Sequence, residues 1–129
     1  IRHNDKRGTP LEKGTSGWQI YSEVAPAADE WIIDKQYNSA FKNTALHTYL
    51  QSKSITDLVI VGLQTEYCID ATIKVAFELG YDVHVPHQMT STFDNCFLSA
   101  KDLIDYFETK IWNDRYAQVC SFEESLNYL

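Results

Sequence analysis

The chain has 129 residues, 44% of them hydrophobic and 13% aromatic, which fits one globular domain and excludes disordered or collagen-like classes. The 11 basic and 18 acidic residues give a net charge of −7 with the basic ones scattered, so neither nucleic acid nor membrane is an expected partner, since both need a positive footprint. No apolar run approaches the roughly 20 residues that span a bilayer, and Cys68, Cys96 and Cys120 make no Cys-x-x-Cys pair, so free thiols in a reducing cytoplasm are expected.

The first thirty residues carry Gly8, Pro10, Gly14 and Gly17 and little periodicity, and read as one long loop of the kind that tends to be functional. Trp31-Ile32-Ile33 reads as a short strand that emerges at Asp34-Lys35 into a loop over Gln36 to Ser39. A helix is expected from Thr44 as N-cap, with Leu46 and Leu50 on one face, closing before Ile55. Leu58-Val59-Ile60-Val61 is an unbroken aliphatic run, the mark of a strand buried on both faces at the centre of a parallel sheet. Ile69, Ile73, Ala76 and Phe77 then recur at helical spacing up to Leu79-Gly80, and Tyr81 to Val85 alternates as a further strand closed by Pro86. Ser99 with Asp102 opens a helix to about Trp112, Ala117 to Val119 is a last strand, and Ser121 with Glu124 caps a C-terminal helix. Strands alternating with helices give an α/β, Rossmann-like three-layer α/β/α domain over 1–129 with a mostly parallel sheet, in which ligands sit beyond the carboxyl ends of the strands. Lys35 and Cys68 both lie at such ends.

The segment from Gly62 to Ile69 places Cys68 at the first turn of a helix just past a buried strand. Unpaired backbone N–H groups and the helix dipole there stabilise a thiolate, and the same groups can hold an oxyanion on a substrate. By position alone a free cysteine is more often a small buried hydrophobe, and a lysine closing a strand is more often solvated.

Residues 62–72, Gly-Leu-Gln-Thr-Glu-Tyr-Cys-Ile-Asp-Ala-Thr, resemble the signature of the isochorismatase-like hydrolases, Gly-x-x-Thr-(Asp/Glu)-x-Cys-Val before a helix bearing a threonine. Trp31 to Lys35 with Asn38-Ser39-Ala40-Phe41 resembles that family's lysine strand and the loop after it. Leu79-Gly80-Tyr81 and Thr90 to Phe93 extend the likeness over nearly the whole chain. The resemblance implies that Cys68 is a nucleophile ordered by Lys35. It also implies a cis peptide between Leu63 and Gln64 that aims the N–H groups of Gln64 and Cys68 at the oxyanion. Cysteine at position 68 favours amide or related C–N hydrolysis of a small molecule through a thioester over vinyl-ether cleavage of the isochorismatase type. No cofactor is expected, and a homodimer or homotetramer is implied. Trp18, Phe41 and Tyr67 are candidates for the substrate-pocket wall, although aromatics are more often core.

The family's aspartate, which takes the thiol proton, closes a first strand that has no counterpart before His3, and residues 1–3 resemble the end of the second strand. The expectation is a bare edge beside Leu58 to Val61, filled by an upstream segment or by another chain. Asp5, Asp34 and Glu66 read as surface or capping carboxylates. The alternative to an active hydrolase is a family member retained as a binding module. His3, His47, His84 and His87 lack the spacing of the metal cluster found in related nicotinamidases, so no metal is expected; His3 and His87 fall at strand ends near the predicted site.

Overall fold

The computed structural model describes residues 1–129. In chain order the elements are β1 (Arg2–His3), β2 (Asp34–Lys35), α1 (Leu46–Ser52), β3 (Asp57–Val59), β4 (Gly62–Leu63), α2 (Asp70–Glu78), β5 (Asp82–Pro86), β6 (Thr90–Ser91), α3 (Ala100–Tyr106), β7 (Gln118–Cys120) and α4 (Phe122–Ser125). The fold is α/β and every strand pairing is parallel, as the alternation of elements predicts. No helix is long and apolar enough to cross a membrane.

The single sheet expected from the sequence is divided into three pieces: β1 with β2, β4 with β6, and a central piece in the order β3, β5, β7. Strand β3 is therefore not central but an edge, matching the bare edge expected beside Leu58 to Val61. Leu58, Val59 and Ile60 are only partly buried and Val61 is 49% exposed, because no strand covers them on the side away from β5. Val83 and Val85 of β5 enter the core with Ile73 and Ala76 of α2. Successive strand residues face opposite sides, so His84 looks the other way, where its ring stacks on Tyr128 at 3.5 Å in the helical turn after α4. Helical segments thus lie on both faces of the central piece.

The core gathers Phe41, Leu50, Ile69, Ile73, Ala76, Tyr81, Val83, Val85 and Trp112. Trp112 is fully buried, and its indole N–H donates to Asp70 Oδ1 at 3.0 Å, so its burial leaves no polar atom unpaired. Helix α2 ends as its sequence predicts. Gly80 has φ +87°, and the N–H groups of Gly80 and Tyr81 return to the carbonyls of Phe77 and Ala76 in a Schellman closure.

Three local expectations shift. The second strand is Asp34–Lys35 rather than Trp31 to Ile33, because its partner β1 registers Arg2 with Asp34 and His3 with Lys35. Thr44 does not occupy the N-cap of α1. Ala45 does, and the Thr44 hydroxyl donates back to the Ala40 carbonyl at 2.6 Å while accepting from Leu46 N–H at 3.3 Å. Cys68 lies on a π-helical turn, Thr65–Ile69, that precedes α2, with Ile69 N–H bonded to the Gln64 carbonyl. Ser121 and Glu124 form the expected capping box at α4, and Ser99 Oγ accepts from Asp102 N–H at α3.

Candidate active site

The carboxyl end of β2 and the turn that follows β4 bring Lys35 and Cys68 together. Parallel pairing with β1 turns Lys35 inward, where only 6% of it is exposed, and sends Asp34 outward to an ion pair with Arg2 at 2.7 Å. The Lys35 ammonium donates to Cys68 Sγ at 3.1 Å and to the Tyr37 carbonyl at 2.9 Å, and lies 3.1 Å from His3 Nδ1. Cys68 is half-buried and its thiol also points to Asn38 Oδ1 at 3.9 Å. The Leu63–Gln64 peptide bond is cis, in the place where the resemblance puts it.

The cysteine turn is held on three sides. The Thr72 hydroxyl donates to the Cys68 carbonyl at 2.6 Å and accepts from Ala40 N–H at 3.1 Å, which ties α2 to the loop after β2. Thr65 and Thr90 are both buried and share a hydroxyl–hydroxyl bond of 3.0 Å, and Thr92 donates to Glu66 at 2.6 Å. These bonds join the turn to β6 and the residue beyond it. None is visible in sequence periodicity, because each joins residues 25 or more apart, or tethers a hydroxyl to a carbonyl within a helix turn.

The carboxylates expected to be structural are so placed. Asp34 is drawn below the usual carboxylate range chiefly by the Arg2 hydrogen bond, Glu66 serves Thr92, and Asp5 accepts from Lys6 N–H. No carboxylate lies within ion-pair distance of Lys35. The histidines go to separate places: His3 to Lys35, His47 to the Tyr81 hydroxyl, His84 to Asp57 and His87 to Glu108. No three His, Cys, Asp or Glu side chains converge as metal ligands would.

The three aromatics proposed for a pocket wall separate. Tyr67 stays beside Cys68 and is 53% exposed. Phe41 turns into the core and stacks on Tyr81 with ring centres 5.9 Å apart, so packing rather than ligand contact accounts for it. Trp18 lies under the Arg2 guanidinium, 3.4 Å from its ring centre, and Arg2 faces away from Lys35 and His3 along β1. A cavity of about 520 Å³ lies at the opposite ends of the strands, lined among others by Asp57, Asp82, His84 and Gln118.

The family model described as the isochorismatase domain matches residues 1–112. The chain belongs to the isochorismatase family. Among family relatives, streptothricin hydrolase of Streptomyces noursei is 34% identical over 80 residues, covering 62% of this chain and 29% of that protein. Ureidoacrylate amidohydrolase RutB of Acinetobacter baylyi is 35% identical over 75 residues, covering 58% of this chain and 31% of that one. The solved structure of an isochorismatase family protein matches with a TM-score of 0.85 and 33% identity, covering 93% of this chain and 70% of its own. The chain thus spans less than a third of the length of either of those two curated relatives.

Proposed function

We propose that this chain carries the nucleophile of a hydrolase that opens amide or related C–N bonds in small molecules through a thioester on Cys68. The observation that carries the reading is the 3.1 Å contact from a buried Lys35 ammonium to Cys68 Sγ, a cation placed where a thiolate needs one. The thiolate attacks the carbonyl carbon, and the amides of Gln64 and Cys68 receive the oxyanion. Collapse of the tetrahedral intermediate breaks the C–N bond, the amine leaves with the proton that the thiol released to solvent, and water hydrolyses the thioester to a carboxylic acid and the free Cys68 thiol. The names of the relatives support C–N chemistry, one being an amidohydrolase. A cytoplasmic dimer or tetramer acting without a cofactor completes the proposal.

A panel of small carboxamides and ureido compounds followed by mass spectrometry tests it. Wild type releases amine or ammonia and the Cys68→Ala variant does not; equal turnover by the variant contradicts the assignment.

One observation favours a second reading, a family member that binds without turnover: neither Cys68 nor Lys35 has a carboxylate partner to take the thiol proton. On that reading ligands from the same panel raise the unfolding temperature while no product forms.

A further inference from the structure

An ammonium has three hydrogens, and at Lys35 each has an acceptor: Cys68 Sγ at 3.1 Å, the Tyr37 carbonyl at 2.9 Å and His3 Nδ1 at 3.1 Å. Lys35 is 6% exposed, so water does not replace a lost partner. The Tyr37 carbonyl accepts at any pH. His3 accepts only while its ring is neutral, with the proton on Nε2.

We propose that neutral His3 is a positioning residue: by accepting from the Lys35 ammonium through Nδ1 it aims that ammonium at the Cys68 sulfur, and its protonation uncouples the lysine from the cysteine. The register of β1 on β2 builds this in, since His3 and Lys35 are direct partners on one face while Arg2 and Asp34 neutralise each other on the other. The titratable groups around His3 are Lys35 from β2, Cys68 from the turn behind it and Asp5 from the loop after β1. Burial and then the Lys35 charge push the His3 pKa down from its ordinary 6.5, with Asp5 opposing. His3 is therefore neutral at pH 7, and the lysine tie is made there and lost in acid.

The inference rests on the reading of Cys68 as the reacting thiol, but its test needs no substrate. Alkylation by iodoacetamide is followed from pH 5 to 8 by peptide mass, with exposed Cys96 as internal reference and buried Cys120 as reporter of unfolding. His3→Gln keeps an acceptor that does not titrate. Its Cys68 rate, normalised to Cys96, matches wild type at pH 8 and exceeds it at the acid end of the range. His3→Leu leaves the buried ammonium one acceptor short and slows Cys68 at pH 7.5 by about tenfold, the equivalent of one hydrogen bond to a charged group. Superimposable profiles for wild type and His3→Gln over the whole range overturn the proposal, and that comparison decides alone if Cys120 labelling shows that His3→Leu has unfolded. Absence of amide turnover would defeat the proposed hydrolase and leave these labelling results standing.

Discussion

A single buried cation organises the candidate site, and the strongest predictions attach to it and to the hydroxyls that hold the turn beside it. Replacing Lys35 by Met removes the donor to Cys68 Sγ, so labelling of Cys68 at neutral pH falls by at least about tenfold, while Arg, with its planar fork in place of a compact ammonium, does not restore it. Labelling of Lys35→Met at the wild-type rate would show that the contact has no influence on the thiol. Thr65→Val strands the Thr90 hydroxyl in a buried site and lowers stability by about 1–3 kcal/mol in urea unfolding. Cys68 and Lys35 were legible from the signature and from their places at strand ends. His3 as the lysine's partner was legible only as a residue near the site, and the Thr65–Thr90 bond not at all, because contacts between distant residues leave no local spacing to read.

At the scale of elements, legibility follows how much of each element's cause is local. The helix α2 was readable in most of its buried face, Ile69, Ile73 and Ala76, and in its left-handed terminus at Gly80, whereas Phe77, expected on that face, is 46% exposed and the helix starts after a π turn. The strand β2 was displaced from Trp31 to Ile33 because its extent is set by β1, more than thirty residues away. The end of α1 carries a testable irregularity. Ser54 sits at φ +54° in the position Gly80 fills for α2, and Ile55 N–H returns to the Leu50 carbonyl in the same closure. Ser54→Gly relieves a left-handed side chain and raises stability by about 0.5–1 kcal/mol; an unchanged or lower unfolding midpoint would contradict this. Glu108 holds the turn between β5 and β6 by a different means. Fully buried, it accepts from Gln88 N–H at 2.8 Å and pairs with His87 Nδ1 at 2.6 Å, and so fixes the turn that delivers β6 to β4.

For the molecule as a whole, the divided sheet is the main departure from expectation. Parallel pairing and the α/β class followed from alternating elements, but continuity did not, since the pattern of Leu58 to Val61 says that a strand wants two neighbours without saying that both are present. We propose that the unpaired side of β3, which continues into the exposed Val61, promotes association. Light scattering across a dilution series is expected to give masses above the 14.9 kDa of one chain, and a monomer throughout would contradict it. Stability should also fall in two acid steps. The first begins near pH 6.5, because a histidine with a lowered folded pKa takes up its proton more readily when unfolded. The second begins near pH 4.5 with Glu124, held down first by the Ser121 backbone N–H, and continues near pH 3.8 with Asp34 and Asp57, held down first by Arg2 and Thr56 hydrogen bonds, because each contributes only while ionised. The central claim is that Cys68 carries the covalent intermediate. Rapid acid quench of the chain with a turned-over carboxamide, followed by peptide mass, tests this most directly: the account predicts an acyl group on the peptide containing Cys68, lost on treatment with hydroxylamine, whereas turnover with that peptide unmodified and the Cys68→Ala variant fully active would contradict it.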